Sequence, residues 1–230
     1  MSGYPGKSPA TDARVSDDGV VWQDLESGGY TADLSVWERL ADDAIPDDEH
    51  RARVLELGAG TGRVTLALAE RGHRVTAIDN DPQLIDALGW RAGERGLPVS
   101  RAVADLRSFE LGSRFDLAIA PMQVLQLLAG AAERHEALRH IARHLGAGGR
   151  AAVALLADGS DLPVHPQIRP LPDATEREGW AYSSRPVAVE SLDGGAAIAL
   201  RRIRRAVSPS GEIAESSSYV RLEVVSPGQL

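Results

Sequence analysis

The 230-residue chain contains no cysteine. Disulfides, thiolate metal sites and cysteine nucleophiles are therefore excluded outright. No apolar run approaches the roughly 18 residues of a membrane-spanning helix, and the polar N-terminus has no signal-peptide core. Positive charge is also short: 25 Lys and Arg against 33 Asp and Glu leave a net charge of −8. A large nucleic-acid footprint needs a basic surface. Nucleic acid is thus disfavoured as a partner, no membrane association is expected, and the chain reads as a soluble cytoplasmic protein. What is present in quantity is apolar side chain, at 43%, enough for one α/β core with a small appended layer.

Two common nucleotide signatures are missing as well. The stretch Val54-Leu55-Glu56-Leu57-Gly58-Ala59-Gly60-Thr61-Gly62-Arg63 reads as a buried strand, a glycine turn and the start of a helix. That order makes a small-ligand site at the carboxyl end of a parallel sheet. A dinucleotide fingerprint is G-x-G-x-x-G; here the pattern is G-x-G-x-G, and Arg63 stands where the last glycine would be. A P-loop needs a Gly-Lys-Ser/Thr ending, which is absent. A second strand, His73 to Asp79, ends in an acid placed to accept hydrogen bonds from two ribose hydroxyls. The expected ligand carries a ribose and no phosphates.

Glu56-x-Gly58-x-Gly60-x-Gly62 followed by Asp79 resembles the class I S-adenosylmethionine-dependent methyltransferases. The resemblance covers residues 20–156 well and the remainder loosely. It implies an α/β fold with a Rossmann-like, doubly wound, mostly parallel sheet and S-adenosylmethionine as cofactor. It also implies a cofactor site made of Tyr30, Glu56, Gly58, Ala59, Gly60, Thr61, Gly62, Asp79, Asn80, Leu84, Asp105, Leu106, Pro121 and Met122. In that reading the glycines meet the methionine and ribose parts, Glu56 balances the cationic amino group and Asp79 holds the ribose diol. Asp105 reads the adenine amine, with the amide of Leu106 beside the ring. No metal is expected.

Taken in order, residues 1–19 read as a mobile tail, rich in Gly, Pro, Ser and Asp. Leu34, Trp37 and Leu40 have helical spacing within 31–44. In the family such a helix lies over the cofactor, and Tyr30 is either the tyrosine that touches its methionine end or a cap on the fold. Asp81-Pro82 starts a helix that Gly96 ends; Leu84 faces the adenine or only the core. Pro98 to Ala104 and Phe115 to Ala120 read as further strands. Asp105 is a candidate ligand or a plain turn aspartate. Pro121-Met122-Gln123 departs from the Asn/Asp-Pro-Pro-Tyr of nucleobase and glutamine methylases. Gln123 or Gln126 either contacts a ligand or starts the next helix. In the helix Ala131 to Leu145, His140 and His144 are four apart, but they lie opposite its apolar stripe and read as a solvated face rather than a metal pair. Arg150 to Leu156 is the fifth strand.

The period changes after Leu156. Residues 157–179 read as loop, and Tyr182–Val189, Ala196–Val207 and Ser216–Val225 as an appended antiparallel layer. The expected division is 1–19, 20–156 and 157–230, with the layer covering the substrate mouth. The family's closing hairpin is either missing from this chain, the favoured option, or formed by the last two strands. Arg201-Arg202 and Arg204-Arg205 read as a charged sheet edge that discourages pairing, or as an anionic-ligand surface.

The reaction expected is an in-line methyl transfer to nitrogen or oxygen of a small-molecule acceptor. Alignment supplies the rate, worth about 7–11 kcal/mol in favourable systems. His165 is the only candidate general base, and an exposed loop histidine is the plainer reading. Two alternatives stand beside this one: an NAD(P)-dependent oxidoreductase, and a non-catalytic S-adenosylmethionine-binding module.

Overall fold

A computed structural model describes residues 18–46, 49–156 and 171–230. Their contacts divide into two units: residues 30–156 with 223–230, and residues 18–29 with 171–222.

The larger unit alternates strand and helix. α2 spans Leu34–Asp42, β1 Arg53–Leu57, α3 Arg63–Glu70 and β2 Arg74–Asp79. α4 (Pro82–Glu94), β3 (Ser100–Val103), β4 (Phe115–Ala120), α5 (Gly130–His144) and β5 (Leu145–Val153) follow. The five strands are parallel in the order β3-β2-β1-β4-β5. The order reverses between β1 and β4, the place where open α/β sheets bind ligands beyond the carboxyl ends of their strands. β1, β2 and β4 are mostly buried because helices cover both faces. Val54, Val75, Leu117 and Ile119 pack with Trp37, Val64 and Leu68 from α2 and α3. Leu55, Leu57, Ala118 and Ala120 point the other way, onto Ala137 and Ile141 of α5. α4 starts as its sequence dictates, with Asp81 as N-cap accepting from Gln83 N at 2.8 Å and Pro82 at the first position.

One expectation for this unit is overturned. His140 and His144 are buried, not solvated. His140 Nδ1 bonds the carbonyl of Phe109 at 2.9 Å, and His144 Nε2 accepts from Leu111 N at 2.9 Å, so the pair pins the loop after β3 to α5. The Phe109 ring packs on both imidazoles. Gln126 lies within the 3₁₀ helix Val124–Leu127, which Gln123 caps, and its side chain is held by backbone. It is 1% exposed, with Nε2 donating to the carbonyls of Leu156 and Glu223 and Oε1 accepting from Leu156 N.

The smaller unit is a four-stranded antiparallel sheet, β6 (Asp173–Arg177), β7 (Trp180–Leu192), β8 (Ala197–Val207) and β9 (Ile213–Glu223), in that order. These strands form their own sheet rather than extending the parallel one, so β8 and β9 are not the family's closing hairpin. β6 falls inside the stretch expected to be loop. Its five residues are all exposed, so no alternation marks it, and only its pairing with β7 makes it a strand. Pro186 is tolerated within β7 because the register shifts there.

The boundary at residue 20 also moves. α1 (Gly19–Gln23) and the π-helical turn Asp24–Gly28 pack on the antiparallel sheet. Trp22, 1% exposed, meets Tyr182 edge-on with ring centroids 5.4 Å apart. Tyr182 Oη donates to Asp18 at 2.6 Å. Glu26 accepts from Arg204 Nε and Nη2 at 2.7 and 2.8 Å and from Ser184 Oγ at 2.6 Å. The arginine run is therefore neither a sheet edge nor an open anionic-ligand surface. β8 is an interior strand; Arg202 pairs with Asp173, Arg204 with Glu26, Arg201 with Glu190 and Arg205 with Glu215.

Burial alone would raise the Glu26 carboxyl, but the hydrogen bonds from Arg204 and Ser184 outweigh it and hold it below its ordinary value. The stabilisation is thus present above pH 4.5 and lost as pH falls through the lower folded value. Glu26→Ala leaves Arg204 without its carboxylate and Arg202 with the Asp173 carboxylate alone, and should cost about 2–3 kcal/mol, less than a fully buried pair because water still reaches the guanidinium groups. Urea unfolding at pH 7 measures the loss, and the gap between variant and wild type should narrow below pH 4.

Candidate functional site

The chain turns sharply three times after β1. Gly58, Gly60 and Gly62 all lie in the left-handed region, at φ 66°, 55° and 94°, which only glycine adopts freely. Space demands glycine too. A Cβ on Gly58 would fall 2.7 Å from Val124 Cγ2, and one on Gly62 would fall 2.1 Å from Leu88 Cδ1. Between these glycines, Ala59 and Thr61 are buried. Ala59 N donates to the Ile78 carbonyl at 3.0 Å, stitching the loop to the end of β2.

Asp79 closes β2 beside the loop. Its Oδ2 accepts from Gly60 N at 2.8 Å and its Oδ1 from Asp81 N at 3.0 Å. A carboxylate has about four acceptor positions. Two are engaged here, so the group is aimed by backbone while keeping acceptor capacity. Asn80 next to it is exposed, and Leu84 on the first turn of α4 is buried at 9%.

Glu56 lies at the base of the loop, 2% exposed, and accepts from Thr65 Oγ1 of α3. Burial pushes its carboxyl up to about 7, against the lowering effects of Thr65 and of the Arg63 charge. Asp105, just past β3, is held down to about 2 by hydrogen bonds from the Arg107 side chain and amide. Its Oδ1 takes Arg107 N and Nε, and its Oδ2 takes Arg107 Nη2 at 2.6 Å. Asp105 is thus a turn aspartate whose Oδ2 keeps one acceptor position. Leu106 is half-buried against the core. β4 ends at Ala120, Pro121 follows, and Met122 and Gln123 both have positive φ, 56° and 61°. Two adjacent non-glycine residues in that region are strained, as happens at ligand sites.

The loop after β1, the ends of β2 and β3 and the turn after β4 all leave the carboxyl end of the parallel sheet. Every proposed residue in these segments therefore stands at one end of the sheet. Tyr30 reaches this group through a side chain that sequence reading did not assign a role. Arg63 donates from Nη1 to the Tyr30 carbonyl at 2.8 Å and from Nη2 to Asp33 Oδ2 at 2.8 Å. The only sequence signal was negative, an arginine in place of a third glycine. His165 lies outside the described residues. Among the described residues no cluster of three or more His, Asp or Glu could hold a metal, and no helix is long and apolar enough to cross a membrane.

A family model described as a methyltransferase domain matches residues 54–149. Cypemycin N-terminal methyltransferase from a Streptomyces species is 38% identical over 98 residues, 43% of this chain and 39% of that protein. The chain spans 39%, 34% and 31% of the length of the first three curated relatives. A TehB-like S-adenosylmethionine-dependent methyltransferase from Corynebacterium glutamicum ATCC 13032 is 30% identical, with a TM-score of 0.50 over 64% of this chain and 74% of that one. An amino pentose methyltransferase from Micromonospora echinaspora, solved with S-adenosylmethionine bound, superposes at TM-score 0.68. That match is 21% identical and covers 91% of this chain and 84% of the other; it speaks for the fold.

Two measurements follow from the loop. Gly62→Ala combines a left-handed φ with a clash against Leu88 and should destabilise by about 2–4 kcal/mol in urea unfolding. Glu56 has a folded value above its unfolded 4.5, so the native state keeps a proton that the unfolded chain loses. Stability should therefore fall by up to about 3 kcal/mol as pH rises from 4.5 to 7. Glu56→Gln should flatten that slope.

Proposed function

Because this chain belongs to the class I S-adenosylmethionine-dependent methyltransferases, we propose that it methylates a nitrogen or oxygen of a small-molecule acceptor, in the cytoplasm. The observation that carries the reading is the Asp79 carboxylate, aimed by two backbone amides beside three left-handed glycines.

The donor set fits this cofactor better than a dinucleotide. Carboxylates dominate it: Glu56, Asp79 and Asp105. The nearby arginines are engaged, Arg63 by Asp33, Arg107 by Asp105 and Glu133. Arg91 donates to the Thr61 carbonyl. Such a site suits a cationic sulfonium nucleoside and suits a pyrophosphate poorly. Asp79 would accept from the ribose diol, and its neighbour Asn80 would flank the same sugar. Gly58, Ala59, Gly60, Thr61 and Gly62 would line the methionine and ribose with backbone. Glu56 would ionise beside the cationic amino group. Leu84, Leu106 and the remaining acceptor of Asp105 would frame the adenine, with Tyr30, Pro121 and Met122 near the methionine end.

When bound, the cofactor supplies an activated methyl group, so alignment is the main task left to the protein. An acceptor amine that binds neutral needs no base, whereas a hydroxyl gains from one. The acidic balance of the chain, with all four arginines of the 201–205 run engaged in ion pairs, favours a small acceptor over nucleic acid.

Thermal-shift titration with S-adenosylmethionine, S-adenosylhomocysteine and NAD should give stabilisation by the first two only. Asp79→Ala should weaken S-adenosylmethionine binding tenfold or more by calorimetry, since the diol loses its acceptors. Methyl-label transfer to a panel of small amines and alcohols tests catalysis itself; binding without transfer to any acceptor would favour a non-catalytic module.

A further inference from the structure

We infer that the Arg63–Asp33 ion pair is a latch that fixes Tyr30 beside the glycine loop, so that Arg63 and Asp33 act as positioning residues for cofactor retention. The inference rests on the reading of the site given above.

Arg63 is the first residue of α3, directly after the left-handed Gly62. Its guanidinium grips Asp33 with both terminal nitrogens and also donates to the Tyr30 carbonyl. The same group lies over the Tyr30 ring, with Cζ 5.4 Å from the centroid, within cation–π range. Asp33 is anchored from its other side, where Trp37 Nε1 donates to Oδ2 at 2.8 Å. Trp37 is 5% exposed, in a cluster with Val64 and Leu68. Each half of the pair is therefore seated on a packed helix.

The pair is shielded, with side-chain exposures of 11% for Arg63 and 18% for Asp33, unlike a surface bridge. Burial works against the Asp33 carboxylate, yet hydrogen bonds from Arg63 and Trp37 keep it below its ordinary value, so it stays ionised. Tyr30 itself is 48% exposed. It follows Gly28-Gly29, and a Cβ on Gly29 would meet nothing within 4 Å. Chain stiffness does not place Tyr30; the guanidinium does. A ligand that orders the glycine loop also orders the start of α3, and by linkage the latch and the ligand support each other.

The test is the dissociation rate of S-adenosylmethionine from wild type and variants. Asp33→Asn keeps the shape and removes the charge, and should raise the rate tenfold or more. Arg63→Lys should fall between, because an ammonium keeps the charge without the fork. Tyr30→Ala should raise the rate as Asp33→Asn does, and the double variant should dissociate no faster than Tyr30→Ala alone. A merely structural role would not give that non-additivity. An unchanged rate in Asp33→Asn, or effects that multiply in the double variant, overturns the latch and leaves the proposed function standing. No binding by wild type overturns both. Should Asp33→Asn fail to fold, Arg63→Lys with Tyr30→Ala completes the same cycle.

Discussion

One carboxylate holds the candidate site together. Asp79 accepts from Gly60 on the loop after β1 and from Asp81 at the cap of α4. It thereby locks the ends of two strands and the start of a helix at the point where strand order reverses. The three glycines are the necessary counterpart. Their left-handed turns bring the Gly60 amide onto the carboxylate, and side chains at 58 or 62 would strike Val124 or Leu88. Charge-assisted bonds to backbone amides are among the stronger hydrogen bonds.

Charge is handled differently in the two units. Around the glycine loop the arginines are already engaged, and Glu56 is buried with Thr65 and the Arg63 charge to support it. In the antiparallel unit the reverse holds: Glu26 is surrounded by Arg202, Arg204 and Ser184, and its charge is neutralised on the spot. The first arrangement leaves electrostatic demand that a cation can meet. The second satisfies its own and serves to hold the segment 19–28 on the sheet. A buried ion pair of that kind is better at specifying an arrangement than at adding net stability.

The residues whose partners sequence reading missed share a cause. His140 and His144 lie off the apolar stripe of α5, but the loop at Phe109 folds over them and supplies a carbonyl and an amide. The Arg201–Arg205 run resembles an edge only until partners 10 to 178 residues away are brought alongside. Gln126 has the look of a ligand-contacting amide, yet backbone at 156 and 223 consumes it. A polar side chain announces its need for partners in sequence without saying where they come from.

The parallel sheet, its order of elements, the glycine turn after β1 and the acid that ends β2 were legible in the sequence, because they rest on short-range constraints. Periodicity sets which face of an element is buried, and a tight turn tolerates only glycine. Only the tertiary structure decided that Arg63 answers Asp33, that residues 18–29 join the antiparallel unit, that β6 is a strand and that Asp105 is already bound by Arg107. Those outcomes depend on which polar groups meet once the backbone has folded. Hydrogen bonds and ion pairs act over a few ångströms in space, whatever the separation along the chain.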